Sequence, residues 1–133
     1  MDCSTILKVG EMVSREYIVD KEDTADNIGN IGVTVLSTPA MIKYMEQTAA
    51  TTVFERLPEK FRPVGTKINI NHINPTPIGE KITVNAIVTN IDGPKVTFQL
   101  EALNRKLKIG YGEYELHVID LDKFRSKFYM DIL

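Results

Sequence analysis

Four residues of this chain sit where their chemistry breaks the local pattern: Thr38, Glu46, Gly65 and His72. Glu46 lies on a helical pattern, about 40° from Ile42 and about 20° from Val53 around the wheel, among apolar positions. An ionised carboxylate there must be paired, hydrogen-bonded or used, because desolvating it alone is costly. A backbone amide or a buried arginine would satisfy it equally well. His72 shares strand parity with Ile68 and Ile70, so it faces the same interior, either as a satisfied core histidine or as a reactive imidazole. Thr38 stands at the start of the helical pattern, where a hydroxyl serves as an N-cap worth about 1 kcal/mol. The free amides and positive dipole end beside it also suit a developing oxyanion. Gly65, just ahead of a strand, would let a ligand approach the backbone. A hydroxyl, a carboxylate and an imidazole together are the components of an acyl-transfer site. The helical rise separates Thr38 from Glu46 by about 12 Å at the backbone, so side-chain reach and a bound substrate must bring them together.

The elements that must position these groups follow from periodicity. Val13 to Asp20 reads as a strand, with Val13, Tyr17 and Val19 on one parity. Lys21 to Gly32 carries Asp, Asn and two glycines and reads as a long loop of the kind that covers sites. The only long helix starts with Thr38 as N-cap and Pro39 at the first helical position, and Pro58 closes it after Leu57. Ile42, Met45, Ala49, Ala50, Val53 and Leu57 gather on one side, and Lys43, Gln47, Thr51 and Glu55 on the other. The rest reads as β: Lys67 to Asn74, then Lys81 to Asn90, a turn at Asp92-Gly93-Pro94, a partner strand through Val96, Phe98, Leu100 and Ala102, and a last strand from about Leu107 to Asp120. The tail Leu121 to Leu133 is compatible with a short helix. His117, opposite in parity to Leu116 and Val118, reads as an outward or interface residue. One helix and one curved antiparallel sheet each have a single apolar face to bury, which makes a hot-dog arrangement, α+β in class, the expected fold.

Composition narrows the function. The 133 residues fit one domain, 1–133, and 43% hydrophobic residues with a net charge of -2 exclude disorder. No run approaches the roughly 20 apolar residues of a membrane span. Sixteen basic against eighteen acidic residues give no general argument for nucleic acid or membrane partners, and Arg105-Lys106-Leu107-Lys108 is the one local basic run. A lone Cys3 excludes an intrachain disulfide and makes a reduced, cytoplasmic compartment the default; as a terminal residue it is a poor candidate nucleophile. The N-terminus lacks the pattern of a secretory signal. No metal site is expected.

Beyond these readings, the chain resembles a known family. Val35-Leu36-Ser37-Thr38-Pro39-Ala40-Met41-Ile42, Glu46, Val64-Gly65-Thr66, His72 and Thr76-Pro77-Ile78-Gly79 are similar to the fluoroacetyl-CoA thioesterase-like family of hot-dog proteins. The similarity continues through Asp92-Gly93 and Ile109-Gly110-Tyr111-Gly112, from about Val13 to Phe124. The intervals of eight residues from Thr38 to Glu46 and twenty-six from Glu46 to His72 match that family's Thr/Glu/His constellation. The resemblance implies hydrolysis of a short-chain acyl-CoA thioester to free acid and CoA by a homodimer, or alternatively a tetramer, with sites at the subunit interface. CoA is then part of the substrate, and no separate cofactor is implied. Thr38 would orient the acyl group or water, or attack; Glu46 would be base or attacking carboxylate; His72 would shuttle protons; Gly65 would offer its backbone to the substrate. Two departures stand out. Tyr114-Glu115-Leu116 replaces the family's frequent His-x-Arg, and Ile31-Gly32-Val33 replaces a phenylalanine lid, so another short acyl-CoA is expected in place of fluoroacetyl-CoA. The competing function is a non-catalytic acyl-CoA or small-ligand binding module. A hot-dog hydratase fits less well, for want of that family's Asp and His pair.

Overall fold

The computed structural model describes residues 1–132, with side chains as far as Phe128. Five strands accompany the helix as the sequence expects: β1 (Met12–Ile18), α1 (Thr38–Arg56), β2 (Phe61–His72), β3 (Lys81–Asp92), β4 (Lys95–Leu103), β5 (Lys108–Asp120) and a terminal α2 (Leu121–Ile132). They form one antiparallel sheet in the order β1-β3-β4-β5-β2, with α1 packed across the face of all five strands. This is the hot-dog fold.

Strict alternation in the three central strands puts Ile82, Val84, Ala86 and Val88, then Val96, Phe98, Leu100 and Ala102, then Tyr114, Leu116 and Val118 on the buried face. The helix answers with Met41, Tyr44, Met45, Ala49 and Val53. The β3–β4 hairpin closes through Gly93 and Pro94, and Gly93 supplies the positive φ (58°) that a tight two-residue turn requires. Cys3 is wholly buried, with its amide hydrogen-bonded to the carbonyl of Gly93 at 2.8 Å, so the N-terminus is tied to this hairpin. Burial also pushes its thiol pKa upward, which removes it further from nucleophile chemistry.

Several local expectations are corrected. Ser37, not Thr38, is the N-cap: its hydroxyl accepts the Ala40 N–H at 3.2 Å, and Thr38 and Pro39 are the first residues inside the helix. Glu46 lies at the edge of the buried stripe, half-buried, because the stripe centres on Met45 and includes Tyr44 and Thr48. The Thr48 hydroxyl is accommodated by the Tyr44 carbonyl at 2.8 Å and by Tyr17 at 2.9 Å. β2 begins at Phe61 and ends at His72, so Gly65 lies within it, beside a register shift between Gly65 and Lys67. β2 is a sheet edge. Ile68 is consequently 37% exposed, although Ile70 and His72 on the same parity are half-buried. The loop after β1 contains two short 3-10 turns, Lys21–Asp23 and Asp26–Ile28. Leu133 lies outside the described residues.

Candidate active site

The first polar cluster forms where the N-terminal turn of α1 meets the end of β2. His72 pairs in register with Gly110 of β5, and Met41 lies over that glycine: a Cβ at Gly110 would stand 2.5 Å from the Met41 sulfur. The Met41 thioether fills the space that a side chain at position 110 would occupy. Thr38, one turn before Met41, is thereby brought to His72, and its Oγ1 lies 2.9 Å from Nδ1. The other ring nitrogen, Nε2, is buried with no hydrogen-bond partner among the described residues. Burial lowers the His72 pKa from 6.5, and the nearby Asn74 backbone offsets part of that effect without completing a hydrogen bond to Nε2. A cleft lined by His72, Ile73, Asn74 and Pro75 opens at this point.

A second cluster lies further along the helix and strand β5. Tyr114 of β5 is 2% exposed and packs against Phe98, with ring centroids 6.5 Å apart. Burial, with the charge of Glu46 adding to it, pushes the Tyr114 phenol pKa up to about 12. Gly65 stands over its hydroxyl, 2.7 Å from where a Cβ would be. Glu46 makes no hydrogen bond or ion pair among the described residues; its electrostatic partner is Tyr114 and not His72.

The structure thus joins Thr38 to His72 and places Glu46 near Tyr114 and Gly65. It does not join Glu46 to His72 within one chain. Eight helical residues separate Thr38 from Glu46, about 12 Å, and four strand residues separate Gly110 from Tyr114, about 13 Å, so the clusters are offset equally on both elements.

Two further features escaped sequence reading. Asp23 is nearly buried, and its carboxylate accepts the Tyr44 hydroxyl at 2.6 Å, the Asp20 N–H at 3.2 Å and the Lys43 ammonium at 3.3 Å. Its own carbonyl accepts the Ser37 N–H at 2.8 Å, which fixes the residue immediately before Thr38. Tyr17 stacks on Tyr44 with centroids 4.4 Å apart. No spacing signal marks Asp23 among the other acidic residues of its loop. Tyr114 did carry a signal: a hydroxyl on the same parity as Leu116 and Val118.

The remaining candidates fall elsewhere. His117 is half-buried, with Nδ1 2.9 Å from the Thr66 hydroxyl. In the basic run, Arg105 pairs with Glu80 at 3.6 Å and Lys108 with Glu101 at 3.2 Å. Leu116, at the position where a family arginine would stand, is fully buried core. Among the described residues no group of three or more His, Cys, Asp or Glu could hold a metal ion, and no helix is long and apolar enough to cross a membrane.

A curved five-stranded antiparallel sheet around one long helix defines a hot-dog protein. Residues 19–122 match the fluoroacetyl-CoA-specific thioesterase family, FlK, and the chain belongs to that family. It is an acyl-CoA thioesterase, a hydrolase. A crystal structure of a variant FlK superposes with a TM-score of 0.87 at 25% identity, covering 94% of this chain and 97% of that one. A variant FlK in complex with fluoroacetate and CoA gives 0.84 at 26% identity, over 89% and 99%. A hot-dog-like protein from Thermanaerovibrio acidaminovorans gives 0.90 at 24% identity, over 98% and 97%, a likeness of fold. No curated protein matches the chain.

Proposed function

We propose that this protein, one domain over residues 1–133, hydrolyses short-chain acyl-CoA thioesters as a homodimer whose sites each draw on both subunits. The observation that carries this reading is the offset between the two clusters beside an open sheet edge. β2 is 12 residues long and unpaired on its outer side, with Gly65 through Asn69 exposed. A long edge of this kind is a template for pairing with another strand. Antiparallel pairing of β2 with its own copy, about an axis at Asn69, sets His72 opposite the Gly65–Thr66 bulge of the partner subunit. Thr38 and His72 of one chain then face Glu46, Gly65 and Tyr114 of the other across a shared channel.

In this arrangement the Thr38 hydroxyl donates to Nδ1 of a neutral His72 that carries its proton on Nε2. As His72 takes that proton, Thr38 Oγ1 attacks the thioester carbon. The C–S bond breaks, and CoA leaves as the thiol with the proton returned by the imidazolium. Glu46 then removes a proton from water as it attacks the acyl-threonine ester, and returns that proton to Oγ1 as the acyl–oxygen bond breaks, which releases the acid and regenerates Thr38 and the Glu46 carboxylate. The backbone at Gly65 lies alongside the acyl group. CoA belongs to the substrate, and the reaction needs no separate cofactor. Fluoroacetyl-CoA is a poor fit for the specific substrate, since Ile31, Gly32 and Val33 before the helix are exposed and carry no aromatic lid. A wholly buried, unpaired Cys3 suits a reduced cytoplasmic setting.

Thiol release across a panel of short acyl-CoAs tests the reaction, and subunit mixing tests the site. Glu46→Gln and His72→Asn homodimers are each expected to be inactive. Mixed, unfolded and refolded together, they should recover about a quarter of wild-type activity, because half the dimers then hold one intact site. No recovery would place both groups in one chain. Stabilisation by acyl-CoA without thiol release would make the protein a binding module, and a tetramer in light scattering would add a second interface.

A further inference from the structure

We infer that Tyr114 is a further catalytic residue, whose hydroxyl donates a hydrogen bond to the acyl carbonyl oxygen of the bound thioester. The inference rests on the thioesterase reading above and goes beyond the Thr38, Glu46 and His72 set. Tyr114 is 2% exposed and its hydroxyl makes no hydrogen bond among the described residues, but that oxygen is not sealed from solvent as His72 Nε2 is. A phenol whose ring is held in the core while its hydroxyl stays free and reachable is placed to donate to an acceptor that arrives with the ligand. Its surroundings fit a carbonyl. The hydroxyl lies against Gly65, where a Cβ would stand 2.7 Å from it, so the glycine leaves room for the hydroxyl in its present position. Phe98 packs against the ring, with centroids 6.5 Å apart, so the donor is held in place before substrate binds.

The protonation state is also right. A phenol pushed up to about 12 by burial, with Glu46 adding to the effect, remains a neutral donor throughout the working range. Charge developing on the carbonyl oxygen as Thr38 attacks strengthens this hydrogen bond, so its benefit is largest in the transition state.

Tyr114→Phe keeps the ring and removes only the hydroxyl. We expect kcat for acetyl-CoA hydrolysis to fall about 10- to 100-fold with KM within about twofold. Two non-hydrolysable ligands separate contact from structure: the methyl ketone analogue of acetyl-CoA with CH2 in place of sulfur, and S-ethyl-CoA, which lacks the carbonyl. By calorimetry, Tyr114→Phe should weaken the ketone by about fivefold or more and leave the ethyl thioether unchanged. Gly65→Ala, which displaces the hydroxyl, should weaken the ketone likewise when Tyr114 is present and much less when combined with Tyr114→Phe. Equal losses for both ligands, or no loss for either, overturn the inference. A wild-type protein that binds the ketone but releases no thiol refutes the hydrolytic reading, while the ligand pair still decides the Tyr114 contact. Failure of the wild type to bind either analogue refutes both.

Discussion

Met41 rests on Gly110, and this contact brings Thr38 to His72. The glycine pairs in register with His72, and a Cβ on it would lie 2.5 Å from the methionine sulfur and 3.0 Å from the Asn71 carbonyl. The helix therefore packs directly onto the sheet beside the strand end that carries the imidazole.

Gly110→Ala should separate the helix from β5 at this point. Overpacking of this kind costs about 1–3 kcal/mol, measurable as a lower urea midpoint with an unchanged slope. Thioesterase activity should fall by more than the fraction unfolded explains, since the 2.9 Å contact between Thr38 and His72 is stretched.

Helix capping and chemistry belong to adjacent residues, and substitutions should separate them. Ser37→Ala removes the acceptor for the Ala40 N–H and should cost about 1 kcal/mol in denaturant titration. Thr38→Ala leaves that cap intact and should change stability by less than about 0.5 kcal/mol. Its kcat should nevertheless fall about 100-fold or more, with Thr38→Ser restoring most of the loss.

The acid limb of the pH profile should report His72. Burial holds its pKa below 6.5, so the folded chain binds fewer protons at this group than the unfolded chain does. The stability linked to it is full above about pH 6.5 and declines as pH falls through the lower, folded value. The base form needed for attack also persists below pH 6.5, so log kcat/KM should break there and not above. Proton NMR of the His72 ring gives the same midpoint directly; a midpoint at or above 6.5 contradicts the assignment.

Asp23 should matter for stability more than its place in a loop suggests. Burial opposes its ionisation, but hydrogen bonds from Tyr44, the Asp20 N–H and Lys43 together hold its pKa below 3.8. Its stabilising effect is present above about pH 3.8 and is lost as pH falls through the folded value. Asp23→Ala leaves the Tyr44 hydroxyl unpaired in the core and should cost about 1–3 kcal/mol. Tyr44→Phe should restore part of that loss in the double variant, as read by a thermodynamic cycle of melting measurements.

Much of this molecule was legible in the linear chain. Alternation along Ile82 to Val88 and Val96 to Ala102, the Gly93 turn, and a helix bounded by Pro39 and Pro58 are local patterns, set by backbone sterics and by which side chains avoid water. They define one helix and one antiparallel sheet, and the positions of Thr38, Glu46, Gly65 and His72 were visible as departures from those patterns. Tertiary structure decided what these residues do to one another. Whether Ser37 or Thr38 caps the helix depends on where the chain enters, which the Asp23 carbonyl fixes from another turn. Whether Glu46 sits within the buried stripe or at its edge depends on how the helix rolls on the sheet, and Met41 against Gly110 sets that roll. That Glu46 acts on Tyr114 while Thr38 meets His72 follows from strand register, which pairs residues far apart in sequence, and periodicity within a single segment carries no record of its neighbour.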